Sequence, residues 1–167
     1  MAFFYEDVLT ALQDASVRFV LVGGTAVILH GVPRTTADLD LVPDLDETNL
    51  AQLVEVMTRL GFVPRAPVPA SQLVDGARRR EWIEEKGMMA FTFHRPGRAL
   101  DEVDVLIDSP VGFAELESNA RTFQAGGLAV RVAREEDLIR MKSATGRAQD
   151  QSDAEALGRL LAEKKKS

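Results

Sequence analysis

Two carboxylate pairs lie close together in "ADLDLVPDLDE": Asp38 with Asp40, and Asp44 with Asp46. On an extended strand alternate side chains share a face, so Asp38 and Asp40 project together, roughly 6–7 Å apart at their Cα atoms, while Leu39 and Leu41 turn the other way. Carboxylates so placed repel one another unless a cation joins them, and both can lean onto one metal ion or onto two about 4 Å apart. The plainer alternative is a solvent-facing pair on a half-exposed strand. Upstream, Gly23-Gly24-Thr25 follows the apolar run "FVLV". Such a strand-to-helix turn lets bare backbone N–H groups and a helix N-terminus approach an anion closely. A glycine turn coupled to a carboxylate pair on the next strand describes a phosphate cradle beside a metal site, as triphosphate chemistry requires.

A third acidic ligand is expected from a neighbouring strand. In "DEVDVLID", Val103, Val105 and Ile107 form one face and Glu102, Asp104 and Leu106 the other, which puts Asp104 at the centre of an otherwise apolar segment. A carboxylate there is costly without a partner, so Asp104 is the third candidate, ahead of Glu102 and Asp101. Lys142 and Arg147, across a break before the last helix, can supply phosphate-binding cations or be ordinary charge near a helix C-terminus. Arg34, just before Thr35 and Thr36, can reach a phosphate or pair with Asp38.

The elements that must position these residues are legible in outline. Apolar residues at Phe4, Val8, Leu9 and Leu12 predict an amphipathic helix over 3–15, followed by a buried strand over 18–22. "TAVILHG" predicts a two-turn helix closed by Gly31, with Pro33 barring its continuation. "ADLDLV" alternates as a strand does, and 46–61 carries an N-cap candidate, an acidic first turn and a terminal glycine, the marks of a complete helix. The stretch 64–69, "PRAPVP", reads as a loop, and 71–86 as a polar, weakly helical segment holding Arg78, Arg79 and Arg80. "MMAFTFH" and "EVDVLID" read as paired strands joined through "RPGRALD". A short helix over 113–119, two strands around Gly126 and Gly127, and a helical C-terminal end complete the chain. The order of elements predicts an α/β (α+β) fold with a mixed sheet flanked by helices, in a single domain over 1–167.

At 167 residues, 46% hydrophobic and 28% charged, the chain suits one compact core rather than disorder. It holds no cysteine and only His30 and His94, which points away from disulfides and Cys/His zinc sites. Oxygen ligands favour magnesium, manganese or calcium. No apolar run reaches the roughly 18–20 residues of a membrane span, and "MAFFYEDVLT" lacks the pattern of a signal peptide, so a cytosolic protein with no membrane partner is expected. The net charge of −6 argues against wrapping duplex DNA. Arg78–Arg80 read as a solvated face, Lys164–Lys166 as a frayed tail, His30 as packed or capping, His94 as exposed near a strand end, and Trp82, Phe91 and Phe93 as core.

"GGTA", "HGVPRTTADLD" and "VDVL" resemble, in that order, the nucleotidyltransferase superfamily of the polymerase-beta type. "DLIRMKSATGRAQDQSDAEAL" resembles the Lys, Arg, Asp, Asp motif of small prokaryotic AbiEii-type nucleotidyltransferase toxins, with Lys142, Arg147, Asp150 and Asp153 at its positions. The resemblance implies a nucleotidyltransferase fold, two magnesium ions (manganese being a substitute) and transfer of a nucleoside monophosphate from an NTP. It implies that Gly23, Gly24 and Thr25 hold the triphosphate together with Arg34, Thr36, Lys142 and Arg147. Asp38 and Asp40 would bind both metals, and Asp104 would complete the site and help deprotonate the acceptor hydroxyl. The acceptor implied is tRNA or a protein, in a toxin–antitoxin or stress setting with a possible cognate partner protein. Two rivals remain: a catalytically silent relative acting as nucleotide sensor or toxin partner, and a carboxylate metal protein without nucleotide.

Overall fold

A computed structural model describes residues 5–167. The chain runs α1 (Glu6–Asp14), β1 (Phe19–Val22), α2 (Gly23–Leu29), β2 (Asp38–Pro43), α3 (Glu47–Arg59), β3 (Val63–Pro64), α4 (Gly76–Lys86), β4 (Ala90–Arg95), β5 (Arg98–Leu106), α5 (Phe113–Asn119), β6 (Arg121–Ala125), β7 (Leu128–Val132), α6 (Glu135–Ser143) and α7 (Ala148–Lys165). The strands form one mixed sheet in the order β3-β4-β5-β2-β1-β7-β6. β1 pairs antiparallel with β2 and parallel with β7, and β2 pairs parallel with β5.

The centre of the sheet explains its composition. All four residues of β1 are buried, as expected of a strand covered on both faces. Leu39 and Leu41 of β2 join Val103 and Val105 of β5, and Phe91 and Phe93 of β4, on one fully buried face. The opposite face of the same strands carries Asp38, Asp40, Thr92, Glu102 and Asp104, because side chains alternate. The Tyr5 hydroxyl fastens the start of β2 to β5, lying 2.5 Å from the Ala37 carbonyl and 3.0 Å from those of Leu100 and Glu102. Burial first, with the nearby charge of Asp101, raises the Tyr5 phenol to about 12, so it stays a hydrogen-bond donor.

Several sequence expectations change in detail. The first helix spans Glu6–Asp14, while Phe3 and Phe4 lie outside the described residues. The second helix starts at the glycines themselves, at Gly23, rather than at Thr25. The expected 64–69 loop begins as strand, since Val63 and Pro64 pair with His94 and Phe93 at the sheet edge, where a missing N–H is tolerated. Arg79 is not on a solvated face: its guanidinium is buried and donates to the carbonyls of Leu73, Val74 and Leu45. Lys164 is not a frayed tail either, since it sits in α7 and pairs with buried Glu135. His30 is packed, with Nε2 2.8 Å from the Ala133 carbonyl and its ring edge-on to Phe123, and Trp82 stacks on Phe91 in the core. Among the described residues, no helix is long and apolar enough to cross a membrane.

Candidate active site

The carboxylates are brought together by the parallel register of β2 and β5. Asp38 lies opposite Glu102, and Asp40 opposite Asp104, so four acidic side chains occupy adjacent positions on one face. Ligand oxygens of Asp38, Glu102 and Asp104 lie within 4.8 Å of one another. Thr92, across the β4–β5 pair, donates to Asp104 Oδ1 at 2.5 Å. Glu102 has a cation of its own, Arg65, at 2.7 Å. Asp101, a lesser candidate for the site, is instead occupied by Arg95 at 3.3 Å and Arg98 at 3.5 Å.

Gly23 opens α2 at φ +72°, and a Cβ at that position would fall 2.0 Å from Asp40 Oδ2. A Cβ on Gly24 would meet Thr36 Oγ1 at 2.8 Å. The glycines therefore let Asp40 and Thr36 close onto the first turn of α2. Thr25 does not line the cavity: it is buried, and its hydroxyl lies 3.4 Å from the Asp38 carbonyl.

Facing the carboxylates across a cavity of about 570 Å³ are α6 and the start of α7. Lys142 lies 3.2 Å from Asp150 and 2.9 Å from Asp153. Arg34 pairs with Asp153, neither reaching out alone nor pairing with Asp38. Arg147 Nε is 2.9 Å from Asp150, which also accepts from Thr145 at 2.6 Å. Asp150 and Asp153 are buried, and they hold three cavity cations in one ionic cluster. Burial alone would raise Asp150, but hydrogen bonds from Thr145 and Lys142 keep it below the usual carboxylate range.

The opposite holds on the sheet. Burial, then the charges of Asp104 and Asp38, push Asp40 up to about 7, despite the opposing pull of Lys142. Asp38 and Asp104 are also raised, burial again coming first. A donor set of hard oxygens that resists its own ionisation suits a divalent cation; the oxygens that converge within 4.8 Å are those of Asp38, Glu102 and Asp104, with Asp40 opposite Asp104 in the register. Glu102 is the fourth carboxylate, which the pattern of its own strand places behind Asp104. Its signal lies in the parity it shares with Asp104, but the β2–β5 register that sets it beside Asp38 cannot be read from one strand.

Similar solved structures share this architecture at low identity. They include the antibiotic-resistance factor ANT(2″)-Ia in complex with adenylyl-2″-tobramycin, at 15% identity and TM-score 0.59, covering 94% of this chain and 87% of that one. The lincosamide adenylyltransferase LnuA, lincomycin-bound, matches at 14% identity and TM-score 0.58, over 93% of this chain and 97% of that one. A nucleotidyltransferase-like protein from Paracoccidioides brasiliensis matches at 16% identity and TM-score 0.52, over 96% of this chain and 78% of that one. No family model matches the chain, and no curated protein sequence matches it significantly. The fold is that of the nucleotidyltransferases.

Proposed function

We propose that the chain is a nucleotidyltransferase that moves a nucleoside monophosphate from an NTP to an acceptor. The observation that carries this reading is the placement of Asp38, Asp40 and Asp104 on one sheet face, opposite Lys142, Arg34 and Arg147 across a single cavity floored by Gly23 and Gly24. A triphosphate alone would be repelled by the carboxylates, so the reading requires a divalent ion held by Asp38, Asp40 and Asp104. That ion, magnesium or manganese, would supply charge neutralisation and polarisation of the phosphates.

The chain's own residues have distinct tasks in this reading. Thr92 fixes one oxygen of Asp104, leaving the other to take the proton of an acceptor hydroxyl. The acceptor oxygen forms its bond to the α-phosphorus as the bond to the pyrophosphate oxygen breaks. Pyrophosphate then leaves with its charge met by Lys142, Arg34 and Arg147. Asp150 and Asp153 keep those side chains aimed into the cavity until the phosphates arrive. The resemblance of Lys142, Arg147, Asp150 and Asp153 to the AbiEii-type motif supports a toxin–antitoxin setting with tRNA or protein as acceptor. Complexes of fold neighbours with adenylyl-2″-tobramycin and lincomycin support small-molecule acceptors as well.

Calorimetric titration with ATP, GTP, CTP and UTP, with and without magnesium, tests the reading. Magnesium-dependent binding is expected in the intact protein and absent from the Asp38→Ala, Asp40→Ala double variant. Binding without label transfer to any acceptor would mark a nucleotide sensor, and no nucleotide binding by the folded protein would overturn the proposal.

A further inference from the structure

The cavity has two chemically different ends. Carboxylates, the glycine turn and the ionic cluster form one; Met89, Ala90, Leu106, Pro110, Leu138 and Met141 form the other. The division follows from the elements. Along β5 the cavity lining passes from Asp104 to Leu106, so the floor changes from acidic to apolar within one strand, with Ala90 beside Leu106 in the register. On α6, Leu138, Met141 and Lys142 are spaced three and four apart, so one helix face carries both the cation and the apolar wall. Met89 is 48% exposed, a large apolar side chain left open at the cavity's edge.

Resting on the nucleotidyltransferase reading, we infer that this apolar end is the nucleobase subsite and that it holds the base by contact alone, without reading its hydrogen-bonding edge. A nucleotide whose phosphates lie between the carboxylates and Lys142 must place its nucleoside within the same cavity, and the remaining wall is apolar. Three of the polar groups nearby are already engaged. The Met89 carbonyl accepts from the N–H groups of Ile107 and Asp108. Thr145 is bound to Asp150 and to the Lys142 carbonyl, and the Gln149 amide nitrogen donates to Asp153 at 3.0 Å. Two thioethers from different elements, Met89 just before β4 and Met141 on α6, line the cavity and suit a flat aromatic face, since sulfur–aromatic contacts are favourable and methionine adapts to its neighbour. Every base offers such a face, so contact of this kind tolerates all four. A site built to hydrogen-bond one base edge would instead discriminate steeply.

Calorimetry with magnesium and each of the four NTPs, alongside inorganic tripolyphosphate, tests the assignment, because tripolyphosphate reports the phosphate end alone. The four NTPs are expected to bind within about tenfold of one another, and each more tightly than tripolyphosphate. Met89→Ala, and separately Met141→Ala, should weaken NTP binding by at least about threefold and leave tripolyphosphate binding unchanged. Unchanged tripolyphosphate binding also establishes that each variant is folded. A preference above about 100-fold for one base overturns the inference. So do NTPs that bind no better than tripolyphosphate, which would give the apolar end to the acceptor, or methionine variants that bind NTPs as the parent does. Failure of tripolyphosphate and NTPs alike would bring down the nucleotidyltransferase reading itself, a different outcome from any of these.

Discussion

The tripeptide Asp-Leu-Asp occurs at 38–40 and again at 44–46, and its two copies meet opposite surroundings. In the second copy each carboxylate has a backbone N–H to accept. Asp44 receives the N–H of Asp46 at 3.0 Å and pairs with Arg18 at 2.9 Å, while Asp46 caps α3 through the N–H of Asn49. In the first copy the strand's backbone is committed to the sheet, and the residues opposite on β5 are Glu102 and Asp104. A carboxylate near the chain's own donors is structural; one among other carboxylates on a strand is held at a cost that a ligand can offset.

The largest expected consequence of that difference is a pH effect confined to the first copy. Asp40 is raised to about 7 in the folded protein from the ordinary 3.8. Its folded form therefore binds the proton more tightly than the unfolded chain does. The resulting stability is fully present below pH 4 and is lost as pH rises to about 7. Metal-free protein should lose on the order of a few kcal/mol from this source between pH 4 and 8. Asp40→Asn should remove most of that loss, melting higher than the parent at pH 8 in chelator, and magnesium should raise the parent's melting temperature there but not the variant's. Parallel melting curves for Asp40→Asn and parent would mean that the carboxylates do not repel one another as the geometry requires.

Much of this contrast is legible in the amino-acid order alone. Alternation assigns the faces of β2 and β5, and the glycine pair marks the turn beside them, because strand parity and turn chemistry are local. Asp46 as an N-cap is legible for the same reason. The partner of Arg34 is not, since Asp153 is far along the chain and reaches it only through the packing of α2 on α6 and of α6 on α7. Glu102 needs the register between two non-consecutive strands. Arg79 breaks the pattern of its helix because three carbonyls at nearby chain turns, Leu73, Val74 and Leu45, need a donor more than the surface needs a charge.

A second test bears on what keeps the first copy in place. Gly23 and Gly97 both adopt positive φ, +72° and +81°, but a Cβ at Gly23 would strike Asp40 whereas one at Gly97 meets nothing within 4 Å. Gly97→Ala should cost about 1 kcal/mol, the left-handed penalty alone. Gly23→Ala should cost about 2 kcal/mol more, from overpacking, and should abolish magnesium-dependent nucleotide binding by displacing Asp40. Chemical denaturation of the two variants separates the terms; equal losses would show that the close approach of α2 to Asp40 is slack.

The smallest effect belongs to the second copy and should touch stability alone. Asp46 supplies α3 with an acceptor for one of its first-turn N–H groups, and its loss leaves that donor to water. Asp46→Ala should therefore cost about 1 kcal/mol, with Asp46→Asn or Asp46→Ser close to neutral because both can still accept. The neighbouring Asn49 limits the damage: buried, it accepts from the Arg18 N–H at 2.8 Å and donates to the carbonyls of Arg18 and Asp44, so the junction between β2 and α3 keeps its shape without the cap. Nucleotide affinity in Asp46→Ala should match the parent. A drop in affinity at unchanged stability would instead join the two Asp-Leu-Asp copies into one functional unit, since a carboxylate that only caps a helix has no route to the phosphates.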